Sequence, residues 1–393
     1  MSDKPAVLIA AISGRALAQS AQRGGYQPLV VDFFGDQDTL QVARDHIRLT
    51  GKLANGIAES ALIAALEALA QRHRPLMGVV CGSGFEDRPH LLQSVAARWP
   101  LFGNHAAIVT RVKNPEIVAA ICGGLAIPVP EFSFTKPDDP ADWLAKRVGG
   151  AGGAHIRPAS QPTSRRVYYQ RKVPGATVSA LFLADGARST VIGFSTQWVL
   201  ATATKPYRYG GAVRPATLSG DMIVVLTSAV ERFAAAASLV GLNSVDFHVD
   251  GDRFWLLDVN PRPGATLDIF EPPQGSLFGL HMAACAGNLA AAPIYPPGAK
   301  AAAIAYAEND IASVPALEWP SWTADRPQPK SVVKAGEPVC TVYACDLAAA
   351  AAKAVTDERR RMVLAWMQGG SDDERADTKR EPAIRCPRGS NDR

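Results

Sequence analysis

The sequence predicts an α/β unit at its start and an α+β region after it, and three observations lead there. In the first hundred residues, short β-branched runs alternate with helical segments, the order expected of a parallel α/β unit. Near residue 250, the aromatic and β-branched runs SVDFHV and RFWLLDV flank the turn signal Asp250-Gly251-Asp252 and read as an antiparallel hairpin. From Pro297 to Val342 the chain is rich in proline, carries two tryptophans and ends in strand-like Pro338–Val342, so a small C-terminal β unit is expected there.

In the front unit, Pro5–Ala11 is a first strand and Gly14–Arg23 a helix closed by Gly24-Gly25. Pro28–Phe33 is a second strand with Asp32 at its end. Ala54–His73 is an Ala/Leu-rich amphipathic helix, and Leu76–Cys81 a buried strand opening into Gly82-Ser83-Gly84-Phe85-Glu86. Ligands gather at the carboxyl ends of parallel strands. Asp32 and the Ser83–Glu86 loop are therefore candidate substrate contacts, with ordinary βα turns as the alternative. Further on, Thr202–Pro215 reads as a polar loop carrying Lys205, Arg208 and Arg214, able to fold over a substrate or simply to face solvent. Ala348–Met367 is a helix. From Gln368 onward the chain is polar and charged, the composition of a disordered tail.

Composition narrows the function classes. A chain of 393 residues with 47% hydrophobic content can bury a multilobed core. The net charge of +4 comes without a Lys/Arg block, which argues against nucleic acid as a partner. No apolar run is long enough to span a bilayer, and the start, containing Asp3, makes a poor signal peptide. Six cysteines, at 81, 122, 285, 340, 345 and 386, show no zinc spacing. They read as reduced packing residues in a cytoplasmic protein.

The hairpin carries the chemistry. Side chains alternate faces along a strand, so Asp258 and Asn260 share one. With an odd-length hairpin loop, Asp246 falls on the same face, opposite Leu256. Two carboxylates and an amide oxygen would then converge, a hard-oxygen donor set suited to Mg²⁺, with Mn²⁺ as a substitute. Arg262 follows and can grip a phosphate or carboxylate by a forked contact. The alternative is a surface hairpin with scattered polar groups, but an unpaired Asp258 in an apolar run would be costly.

A hundred residues earlier, Lys146 precedes Gly149, Gly150, Gly152 and Gly153. Glycines leave backbone N–H groups free to cradle phosphate, and Lys146 would add a point charge. A glycine-rich linker is the alternative. The run is neither a Walker loop nor a dinucleotide fingerprint.

Taken in order, these motifs resemble the ATP-grasp superfamily, distantly the biotin carboxylase-like members, over roughly residues 5–345. Lys113, in RVKNPEIVAAICGGLAIPVPE, stands where that family has its first ATP lysine, and Lys146 where it has the second. Gln170-Arg171-Lys172-Val173 resembles the hinge that holds adenine, with Gln170 replacing the usual acid. Asp246 and Asp258 are twelve residues apart, the family's spacing for its metal-binding acids, although Glu is the commoner residue. The resemblance implies a Rossmann-like pre-ATP-grasp domain (1–105), two ATP-grasp subdomains (106–180 and 181–300), a C-terminal β/α unit (301–368) and the tail (369–393).

It implies an ADP-forming carboxylate–amine ligase using ATP and Mg²⁺ on a small-molecule metabolite. Lys113, Lys146, the four glycines and the hinge residues Gln170, Arg171, Lys172 and Val173 would bind nucleotide. Asp246, Asp258 and Asn260 would hold metal, and Arg262 and Lys146 would be catalytic. The expected partners are a carboxylate and an amine, with a homodimer as a candidate assembly. Similar proteins accompany methanofuran and tetrahydromethanopterin synthesis. After Arg262 the chain runs PGATLDIF rather than the carboxylases' bicarbonate-handling segment. That departure disfavours a carboxylase, which stays as an alternative beside a small-molecule kinase and a nucleotide-binding protein without turnover.

Overall fold

The computed structural model describes residues 4–368, apart from 52 and 163–165. The front unit is a five-stranded parallel sheet of β1 (Ala6–Ala10), β2 (Gln27–Asp32), β3 (Asp45–Arg48), β4 (Leu76–Cys81) and β5 (Leu101–Phe102), in the order β3-β2-β1-β4-β5. Helices α1 (Arg15–Arg23), α2 (Gln37–Val42), α3 (Glu59–Arg72) and α4 (His90–Ala96) connect these strands. One sheet face packs on α3 and α4 through Leu8, Leu29, Leu62, Leu66 and Leu91. Strands predicted at 5–11, 28–33 and 76–81 are present within a residue of those bounds. The helix expected from Ala54 starts at Glu59, because a 3-10 turn at Leu53–Asn55 and Gly56 intervene.

Next come α5 (Ala106–Val112), α6 (Pro115–Gly124) and a four-stranded sheet. Asn114 caps α6, accepting from the Glu116 N–H at 2.9 Å with Pro115 at the first helical position. The sheet comprises β6 (Phe132–Ser133), β7 (Trp143–Arg147), β8 (Arg157–Pro158) and β9 (Val167–Arg171), all antiparallel.

The third sheet has eight strands: β10 (Ala176–Asp185), β11 (Ser189–Val199), β12 (Tyr209–Arg214), β13 (Val240–Asp250), β14 (Arg253–Asn260), β15 (Ala299–Tyr306), β16 (Thr323–Ala324) and β17 (Pro338–Asp346). Their order is β14-β13-β10-β11-β12-β15-β17-β16. Helix α7 (Gly220–Ala237), capped by Ser219, covers one face through Leu226, Val230 and Phe233. The other face meets the front sheet: Val7, Ile9 and Val80 share a core with Leu181, Leu183 and Leu242. Two further helices, α8 (Leu267–Phe270) and α9 (Leu277–Cys285), enter that core, and α10 (Ala349–Met367) packs on β15 and β17.

The C-terminal strands β15, β17 and β16 continue the large sheet, with β15 pairing to β12. The structure corrects two expectations here. Six residues of the expected loop 202–215 form strand β12, where Gly210 and Gly211 lie against Trp198 and a Cβ would collide. Cys81, Cys122, Cys285 and Cys340 carry free thiols as expected, but Cys345 is disulfide-bonded, and Cys386 lies outside the described residues. The expected disordered tail, 369–393, lies outside the described residues.

Candidate functional site

The hairpin β13–β14 brings the acids together by a different register from the one expected. Its loop is two residues, Gly251 and Asp252, because Asp250 pairs with Arg253. An even loop alone would set Asp246 against Leu257. A register shift between Asp246 and Phe247 leaves Leu257 unpaired, and Asp246 lies directly opposite Asp258. A bulge inserts one residue and flips the faces beyond it. The shared face expected for Asp246, Asp258 and Asn260 is thus reached through a bulge, not an odd loop.

Around these acids the polar groups interlock. Asn260 Nδ2 donates to Asp246 at 3.0 Å, and Gln197 Nε2 on β11 donates to its other oxygen at 3.3 Å. Burial, then the Asp258 charge, raises the Asp246 carboxyl above its ordinary pKa, against Ser179, Lys113 and Arg262. A buried carboxylate whose charge its neighbour disfavours is a donor that a divalent cation relieves. Among the described residues no group of three or more His, Cys, Asp or Glu is placed for a metal. Two acids plus an amide nonetheless suit Mg²⁺, which takes few protein carboxylates and fills its shell with water and phosphate.

Both lysines are buried and point at this hairpin. Lys113, just past α5, donates to both Asp258 oxygens at 2.9 and 3.0 Å. Lys146, on β7, donates to Gln170 Oε1 at 3.1 Å and to the Leu257 carbonyl at 3.3 Å. Burial works against the Lys146 charge, but Tyr168 and Asp258 outweigh it and raise its pKa. Between α6, β9 and β14 lies an open cleft lined by Lys113, Pro130, Phe132, Tyr168, Gln170 and Asp258. Apolar walls with a few convergent polar groups are the common form of a small-molecule site.

The hinge candidates separate. Gln170 faces the cleft, but Arg171 turns out to Glu131 at 2.8 Å and stacks on Trp143. Lys172 bonds the Ala141 carbonyl, and the Val173 carbonyl lies 3.0 Å from His248 Nδ1. Alternation along β9 allows only one of Gln170 and Arg171 to point inward. The Arg171 and Lys172 side chains therefore do not join the cluster.

The glycine run is wedged, not a free linker. A Cβ on Gly149 would stand 2.6 Å from the Glu86 carbonyl, and one on Gly153 would overlap the Tyr207 carbonyl. Gly149, Gly152 and Gly153 all have positive φ. The Gly152 carbonyl accepts from Tyr209 N–H at 3.1 Å, and the His155 ring packs on Gly150. Burial, then Lys146, pushes His155 down to about 4, so its ring is neutral.

Sequence reasoning gave Glu86 no role beyond membership of a candidate loop. In the structure its carboxylate accepts from Arg262 Nε at 2.7 Å and from the Gly84 and Phe85 N–H groups. Burial alone would raise its pKa, but Arg262, Lys113 and the Gly84 N–H lower it to about 2. Arg262 also reaches Asn260 Oδ1 at 3.3 Å. Asp32, by contrast, is a structural staple: its oxygens accept from Gly14, Phe34 and Gly35 N–H, and His46 lies against one of them. Arg208 stacks on Tyr306 and Arg214 on Tyr295, which ties both to the scaffold.

A model of the ATP-grasp domain matches residues 119–266, the stretch that holds the glycine loop and the hairpin. That stretch is therefore similar to an ATP-grasp domain. Such domains use ATP with Mg²⁺. The carbamoyl phosphate synthase large chain of Myxococcus xanthus (strain DK1622) is 20% identical over 241 residues, 55% of this chain; the match spans only 22% of that relative's length. Among solved structures, the biotin carboxylase domain of the Hydrogenobacter thermophilus 2-oxoglutarate carboxylase, a dimer holding MgADP, ADP and bicarbonate, matches with a TM-score of 0.72. Its identity is 12%, over 94% of this chain and 95% of that one. N5-carboxyaminoimidazole synthetase from Staphylococcus aureus, complexed with ADP, matches with a TM-score of 0.65 and 13% identity over 92% and 98%. These likenesses establish the ATP-grasp fold: a parallel α/β unit before two antiparallel sheets. No helix among the described residues is long and apolar enough to cross a membrane.

Proposed function

We propose that the chain is an ADP-forming carboxylate–amine ligase. One observation carries this reading: a paired acid site, two buried lysines and an anchored arginine are joined by hydrogen bonds to one hairpin, β13–β14, and the residues just after it. Adenine lies in the apolar cleft, with Gln170 offering its amide to the ring edge. Lys113 and Lys146 neutralise the ATP phosphates, and the Gly149–Gly153 backbone closes on them and keeps water out. Asp246, Asp258 and the Asn260 amide would hold Mg²⁺, which would supply charge neutralisation to the nucleotide phosphates.

A carboxylate oxygen of the acyl substrate takes the γ-phosphoryl group, and ADP leaves. Arg262, oriented by Glu86, holds the carboxylate and then the acyl phosphate. The amine nitrogen attacks the carbonyl carbon, inorganic phosphate leaves, and the amide forms with loss of one proton. The acceptors are small molecules. The methanofuran and tetrahydromethanopterin type of cofactor assembly is the context carried over from the resemblance. A cytoplasmic homodimer is the assembly we expect.

The test is ADP release over a panel of carboxylates and amines, with hydroxylamine as a trap for the acyl phosphate. ADP release that needs a carboxylate, together with hydroxamate formation, supports the ligase. Release driven by bicarbonate alone, or by an alcohol, would replace it with a carboxylase or a kinase. Nucleotide binding without turnover on any pair would favour a regulatory protein.

A further inference from the structure

Lys113 and Lys146 stand differently in this site. Lys146 donates to the Gln170 amide and the Leu257 carbonyl, and the Asp258 and Asp246 charges act on it without a direct bond. Lys113 bridges both oxygens of Asp258. The Lys113 side chain is 4% exposed, while Asp258 stays reachable at 31%. As it stands, one ammonium neutralises the very carboxylate a metal would need. A dication arriving alone meets that ammonium at the same oxygens, and bound metal ions are the largest charges in such a site. Nucleotide phosphates remove the conflict, because they offer Lys113 another anionic partner.

We infer that Lys113 is a nucleotide-operated latch on the metal site, exchanging Asp258 for phosphate so that Asp258 becomes free for the cation only when nucleotide is bound. This deepens the proposed function and rests on its reading of Asp258 as a metal ligand. Nucleotide-free protein then binds Mg²⁺ or Mn²⁺ weakly, and nucleotide and metal strengthen each other by the same factor, as linkage requires. Free cation does not occupy the acids between turnovers.

The experiment is Mn²⁺ binding to the full chain, followed by paramagnetic resonance with and without ADP. In the wild type, ADP raises Mn²⁺ affinity at least tenfold. Lys113→Met binds Mn²⁺ at least tenfold more tightly than wild type without ADP, and its gain from added ADP shrinks. Lys146→Met removes an equal charge that bonds no carboxylate, so its nucleotide-free affinity changes much less. An unchanged nucleotide-free affinity in Lys113→Met, or an equal gain in both variants, overturns the latch. If Lys113→Met does not fold, Lys113→Gln carries the same comparison, and equal wild-type Mn²⁺ affinity with and without ADP also overturns it. Asp258→Asn separates the two ideas. Loss of Mn²⁺ from its ADP complex keeps the metal-ligand reading whatever the lysine variants do, whereas full retention removes that reading and the latch with it.

Discussion

Replacing Glu86 by Gln tests how the front unit holds Arg262. The Glu86 side chain is 3% exposed, its Oε1 is 2.7 Å from Arg262 Nε, and its other oxygen takes two backbone N–H bonds. Gln keeps the shape and removes the charge. Its pKa lies at about 2 against the usual 4.5, a difference worth about 3 kcal/mol at 1.36 kcal/mol per tenfold. The value expected for breaking one side of a buried pair is similar, about 3–5 kcal/mol. The sign follows from the depressed pKa. The stabilisation is fully present above 4.5 and is lost as pH falls from there toward 2. Glu86→Gln should therefore lose about 3 kcal/mol at pH 7, and the gap to wild type should close on acidification below 4.5. Denaturant titrations at pH 7, 4 and 3 measure this. A variant within about 0.5 kcal/mol of wild type at pH 7, with an unchanged acid limb, would show that the pair is replaceable and that Arg262 is held by Asn260 and packing alone.

Asp258→Asn should abolish Mg²⁺-dependent turnover while shifting the melting temperature by only a few degrees; a folded variant with normal ATP turnover removes Asp258 from the metal site. Lys146→Ala should weaken ADP binding in calorimetry, whereas Arg262→Ala should leave it near normal and cut ADP release on the order of a hundredfold; the reverse pattern would exchange their roles. Gly153→Ala forces a Cβ onto the Tyr207 carbonyl at a φ of 71°. It should cost more than the roughly 1 kcal/mol typical of strained Gly→Ala changes and weaken nucleotide binding, and unchanged melting and ADP affinity would count against a wedged loop. Phe278→Ala, in the core joining the front sheet to the large one, should cost about 3–5 kcal/mol in denaturant unfolding; a loss under 1 kcal/mol would mean the two sheets are held together elsewhere.

The sequence by itself determined most of the elements and most of the candidate site residues. Short apolar, β-branched runs marked β1, β2 and β4, and a helix-forming Ala-rich run marked α10, because a segment's own composition carries its preference for strand or helix. Lys146 with its glycine run, Asp246, Asp258 and Arg262 stood out locally, as Asp258 does within an apolar strand, whereas Lys113 and the order of the motifs came from the resemblance. Tertiary structure decided what those residues touch. Lys113 meets Asp258 across 145 residues and Arg262 meets Glu86 across 176, and no local pattern encodes such a meeting. The bulge beside Asp246 is equally silent, since a register shift costs no change of composition yet exchanges the faces of every residue beyond it. The same holds for β15, whose alanine-rich run fits several partners. Only the free edge left by β12 selects it as the strand that carries the C-terminal segment into the large sheet.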